Sequence, residues 1–96
     1  MIEIRLSNQP GDNVLVTFDG HILEFFTWEE RESSRYHVFK FAKIEIVTDK
    51  RGKNTLGIWS KYVNELLFGP QIIRDEVLAE TQALVTAVQQ AMALYP

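Results

Sequence analysis

Asn13-Val-Leu-Val-Thr-Phe-Asp-Gly-His-Ile-Leu-Glu-Phe-Phe-Thr-Trp28 consists of two strand-like runs around a central Asp19-Gly20. This dipeptide tolerates positive φ, and between alternating apolar residues it is a strong hairpin signal. A two-residue type I′ turn sets Phe18 opposite His21, Val16 opposite Leu23 and Val14 opposite Phe25, and this face reads as core. Leu15, Thr17, Ile22, Glu24, Phe26 and Trp28 fall on the other face. That face is too apolar for plain solvent exposure, so another element or a partner is expected to cover part of it.

Upstream, Ile2, Ile4 and Leu6 alternate with Glu3 and Arg5 as in a strand with one wet face, and Ser7 to Asp12, with Pro10-Gly11, breaks the pattern. Downstream, Glu29 to Ser34 reads as a polar connection, Arg35 to Phe41 as a strand, Ala42-Lys43 as a bend and Ile44 to Thr48 as a further strand. Asp49 to Lys53 reads as a three-residue hairpin loop, with Gly52 in the left-handed position. Ile44 then faces Ile58 and Ile46 faces Leu56, whereas a one-residue slip would set them against Trp59 and Gly57. The first register gathers four aliphatics on one side and turns Trp59 outward with Glu45 and Val47. Lys61 to Phe68 gives the last strand, ended by Gly69-Pro70.

After a linker at about 70–74 the spacing becomes helical over about 75–95, with Val77, Leu78, Leu84, Val85, Val88, Ala91, Met92 and Tyr95 on one stripe. Asp75 is the expected cap, and Glu76 and Glu80 suit the positive end of the helix.

The 96 residues are 46% hydrophobic and 24% charged, which fits a single globular domain spanning 1–96 and not a disordered chain. There is no cysteine, which excludes disulfides, thiolate metal sites and cysteine nucleophiles. The Met1 to Leu6 start lacks the basic and apolar blocks of an export signal, and no apolar run reaches membrane-spanning length, so a cytoplasmic protein is expected. Net charge is -3, but residues 34–61 hold 7 basic and 2 acidic side chains, against 2 and 7 in residues 1–33. The positive block is expected to be neutralised largely by its own acidic neighbours. Seven strands and one helix predict a mainly β, α+β fold: a seven-stranded antiparallel bent sheet or partial barrel capped by the C-terminal helix.

Arg35-Tyr-His-Val-Phe-Lys-Phe-Ala-Lys-Ile-Glu-Ile-Val47, a strand, a bend and an Ile-x-Ile/Val strand, resembles the matching stretch of short bacterial pleckstrin-homology-like (PH-like) domains. The final helix, with Leu84-Val85 and Val88 on its stripe, is similar to that family's capping helix. The resemblance implies the architecture and, with it, lipid, peptide or structural roles. In phosphoinositide-binding members the loop after the first strand carries basic residues. Here Ser7 to Asp12 has none, and Asp19-Gly20 offers an acid where phosphate needs a cation.

No constellation carries recognisable catalysis. His21 and His37 lack a ligand partner at metal-site spacing, and Ser33, Ser34 and Ser60 lie in no nucleophile elbow. Glu29, Glu30 and Glu32 sit in a polar connection, and the five glycines form no phosphate cradle. No cofactor or metal is expected, and the acidic balance argues against nucleic acid. The expectation is a non-catalytic binding or scaffolding domain working through protein contacts, self-association included, with Phe26, Trp28 and Trp59 as contact residues. Attachment to anionic lipid through Lys50, Arg51, Lys53 and Lys61 is the second reading, and a small enzyme with an unrecognised site the third.

Overall fold

In the computed structural model, which describes residues 1–9, 12–27, 32–62 and 65–95, the Asp19 hairpin joins β2 (Asp12–Phe18) to β3 (Ile22–Thr27). The register differs from the expected one by two residues: Phe18 faces Leu23, Val16 faces Phe25 and Val14 faces Thr27. The cause is the Asp19 side chain. Its Oδ1 accepts the His21 and Ile22 N–H groups at 2.9 and 2.7 Å, which widens the two-residue turn into a longer loop. A shift of two preserves the faces, so Val14, Val16, Phe18, Leu23 and Phe25 are buried as expected, while His21 is exposed.

β1 (Ile2–Gln9) pairs with β2, and β4 (Glu32–His37) with β3, giving a four-stranded antiparallel sheet in the order β1-β2-β3-β4. β5 (Phe41–Thr48), β6 (Asn54–Ser60) and β7 (Leu66–Ile72) form a separate three-stranded antiparallel sheet. The seven strands are present, but they form two sheets where a single bent sheet or partial barrel is expected, and the sheets are not closed into a barrel. The change of sheet falls at a 3-10 turn, Val38–Lys40, earlier than the expected bend at Ala42-Lys43. His37 Nδ1 accepts the Phe39 N–H at 3.1 Å and Val38 plugs into the core, so the chain leaves one sheet before entering the next.

The second hairpin keeps the expected register, with Ile44 opposite Ile58 and Ile46 opposite Leu56. Gly52 takes φ +80° and the Asp49 carboxylate accepts the Arg51 and Lys53 N–H groups, both at 2.9 Å. β7 runs through Gly69-Pro70, a cis peptide bond, instead of stopping there. As an edge strand it tolerates the missing proline N–H, and Gly69 at φ +94° abuts the Leu56 carbonyl oxygen, where no Cβ would fit.

A 3-10 turn, Asp75–Val77, leads into α1 (Leu78–Met92), so the helix starts later and ends sooner than expected; the cap positions are Arg74 and Val77 instead of Asp75, and neither makes a side-chain cap. The buried stripe is Leu84, Val85, Val88 and Ala91, joined by Thr81, whose hydroxyl donates to the Val77 carbonyl at 2.7 Å. That internal bond lets a polar side chain sit in the core. The stripe seals the core built from Ile4, Leu6, Val16, Leu23 and Phe25 of one sheet and Phe41, Ile44, Leu56 and Ile58 of the other. Phe25 stacks on Phe68 at 3.8 Å between ring centroids, joining the sheets directly. Each fully buried aliphatic contributes about 1.5–3 kcal/mol by leaving water.

Candidate binding surfaces

The second sheet has one face in the core and one in solvent. Alternation along β6 buries Leu56 and Ile58 and turns Thr55, Gly57 and Trp59 outward, opposite Val47, Glu45 and Lys43 of β5. On the other flank Thr55 faces Ile72 and Trp59 faces Leu66. The outer face therefore carries Val47 (46% exposed), Leu66 (36%) and Ile72 (39%) around a half-buried Trp59, an apolar cluster open to water. The indole lies back across Gly57: a Cβ there would come within 2.6 Å of its Cη2 atom. Lys43 Nζ stands 4.3 Å from the indole centroid and 3.4 Å from Glu45 Oε1, so one ammonium serves a cation–π contact and an ion pair. The ring is thus held flat and presented, not folded inward.

Leaning over Gly57, Trp59 points toward the β5–β6 hairpin, whose tip carries Lys50, Arg51 and Lys53, all exposed. Asp49 spends one carboxylate oxygen on the turn's backbone. Lys61 belongs elsewhere. It follows the opposite end of β6 and donates from Nζ to the Tyr95 carbonyl at 2.8 Å, so the expected four-cation group contains only three neighbours. An open cleft of about 350 Å³ beside the hairpin is lined by Lys53, Asn54, Ile72, Arg74, Asp75 and Glu76. Its two cations face two carboxylates, which leaves no net charge to hold an anion.

Phe26 lies on β3, half-buried on the outer face of the first sheet, between Leu15 and Ser33. It shares no surface with Trp59, which sits in the other sheet. Trp28, Glu29 and Glu30 lie outside the described residues. The two histidines, 16 positions apart in sequence, come together with rings 6.2 Å apart, and His37 also meets Phe39 and Tyr95 at 4.9 and 5.0 Å. Among the described residues no group of three or more side chains could hold a metal ion, and no helix is long and apolar enough to cross a membrane.

Sequence reading found Trp59 and Val47 on this face and missed Leu66 and Ile72. Ile72 falls in the expected linker, because Gly69-Pro70 reads as a strand end. The adjacent Ile72-Ile73 pair, one side chain exposed and one buried, is the signal that could have extended the strand. Compared with protein-family models, curated proteins and solved structures, the chain matches none.

Proposed function

We propose that this chain is a non-catalytic protein-binding module of PH-like architecture whose docking surface is the outer face of β5, β6 and β7. The observation that carries this is the apolar cluster of Val47, Leu66 and Ile72 around a flat, braced Trp59, bordered at one end by the Lys50, Arg51 and Lys53 tip. Tryptophan loses little side-chain entropy on contact and is a frequent anchor of interfaces. The cationic border selects the partner's chemistry: a polypeptide that presents apolar side chains flanked by carboxylates. Two antiparallel sheets followed by a C-terminal helix are compatible with the PH-like arrangement and leave this face clear of the helix, which packs on the core side.

The test is selection from a displayed random-peptide library on the immobilised domain. Enrichment of apolar, acidic peptides that bind wild type but not the Trp59→Ser variant supports the reading. Peptides that bind both forms equally, or no enrichment, oppose it. The same hairpin supports a second reading, attachment to anionic lipid. Sedimentation with phosphatidylserine vesicles that is lost at high salt and in the Arg51→Glu variant would favour that reading instead.

A further inference from the structure

The two sheets have four edge strands, and three of them are obstructed. β1 is bulged between Arg5 and Ser7, and Arg74 occupies its rim, donating its N–H to the Leu6 carbonyl at 3.4 Å and its guanidinium to the Arg5 carbonyl at 3.2 Å. β5 is bulged between Phe41 and Lys43 and lies under α1, whose Gln89 donates to the Ile44 carbonyl at 3.3 Å. β7 pairs irregularly with β6 at two places and contains Pro70. Among the described residues, β4 has none of these defences. Its six pairs with β3 run without irregularity, it contains no proline or lysine, and Ser33, Ser34 and Arg35 are exposed. A straight edge that no described residue covers is a template for another strand.

The direction of its free groups follows from one bond. Val38 N–H donates to the His21 carbonyl at 3.0 Å, continuing the β3–β4 register, so alternation turns the backbone groups of Tyr36 and Ser34 toward β3. Those of Ser33 and Arg35 therefore point away from the sheet.

We propose that β4 is a self-association edge, pairing antiparallel with β4 of a second copy about a two-fold axis through Ser34. In that register Ser33 of each copy exchanges N–H and C=O bonds with Arg35 of the other, using the outward groups. The register also sets no like charges directly opposite: Arg35 falls opposite Ser33, while each Arg35 keeps its own ion pair with Glu24 at 3.3 Å. Moving the axis one register step to Arg35 would set the two guanidiniums face to face. A two-fold makes one edge complementary to itself, so a second copy needs no feature that this chain lacks. The surface is separate from the Trp59 face, and a dimer formed this way leaves both such faces free. One strand pair is a small interface, so dimers are expected to form in the micromolar range.

Sedimentation equilibrium of the full chain across a concentration series reads the association, alongside hydrogen exchange at each concentration. A monomer–dimer equilibrium is expected, with Ser33 and Arg35 amides gaining protection as concentration rises. The Ser33→Pro variant removes an outward N–H without touching the β3 ladder, and is expected to stay folded by circular dichroism and to be monomeric. Should it fail to fold, Ser34→Lys sets two ammoniums against each other across the axis and is expected to abolish the dimer likewise. A monomer at all concentrations overturns the proposal, as does a dimer in which the Ser33 and Arg35 amides stay unprotected or which survives both substitutions.

Discussion

Gly57 is placed where a side chain would collide with its own neighbour. The Trp59 indole crosses the position a Cβ would occupy, with Cη2 at 2.6 Å and Cζ3 at 2.9 Å. The atoms in the way are the far end of a side chain that can rotate, so Gly57→Ala is expected to displace the ring and not to unfold the sheet. Stability should change by less than about 1 kcal/mol, because added strand propensity offsets the lost packing. The indole should leave Lys43, its emission should move to longer wavelength, and acrylamide should quench it more readily. Unaltered Trp59 fluorescence in a folded Gly57→Ala protein would show that the indole does not lie across Gly57. An outward Trp59 was readable from the hairpin register alone. That it lies flat was not, because this depends on Gly57 two positions earlier and Lys43 across the strand pair.

Turns decide what the strands do, and the Asp19 turn decides most. Its carboxylate is held below the usual carboxylate range, first by the Ile22 N–H and then by the His21 N–H it accepts. A group whose pKa is depressed on folding stabilises the native state above its unfolded value, about 3.9, and loses that contribution as pH falls through the lowered folded value. The difference in melting temperature between wild type and Asp19→Ala is therefore expected to be constant at neutral pH and to shrink as the solution is taken below about pH 4. A difference independent of pH down to pH 2 would show that the carboxylate is not the acceptor. The same turn marks the limit of sequence reading. Alternation placed Val14, Val16, Phe18, Leu23 and Phe25 on one face, and that stood because the register moved by an even step. The pairing itself failed because an Asx-type turn and a type I′ turn share the same dipeptide. β7 failed in the opposite sense: Gly69-Pro70 carries a strong stop signal, but an edge strand can absorb it.

At the scale of the molecule, the periodicities specified seven strands and a helix but not how the strands divide, because the division hinges on the three-residue turn at Val38–Lys40. Strand alternation is the same on either side of such a turn, so one bent sheet and two stacked sheets read alike. The division creates both surfaces argued above. It makes β4 the edge strand of the first sheet and gives the second sheet an outer face of its own. It also distributes the charge: of the positive middle block, Arg35 is neutralised by Glu24 across the β3–β4 pair, whereas Lys50, Arg51 and Lys53 project together at a hairpin tip. The Cα radius of gyration, 12.7 Å, is that of a single compact chain of this length, about 12.5 Å, so nothing in the protomer's dimensions requires the second copy for folding.

The chain has two tryptophans, so a Trp28→Phe variant leaves Trp59 as the sole indole reporter. The most direct measurement is its emission during titration with an apolar, acidic peptide recovered by display. A saturable shift to shorter wavelength is expected as the ring loses water, weakened on raising salt from 0.1 to 1 M as the Debye length falls from about 10 to about 3 Å. Calorimetric binding of that peptide with Trp59 emission and quenching unchanged would contradict it.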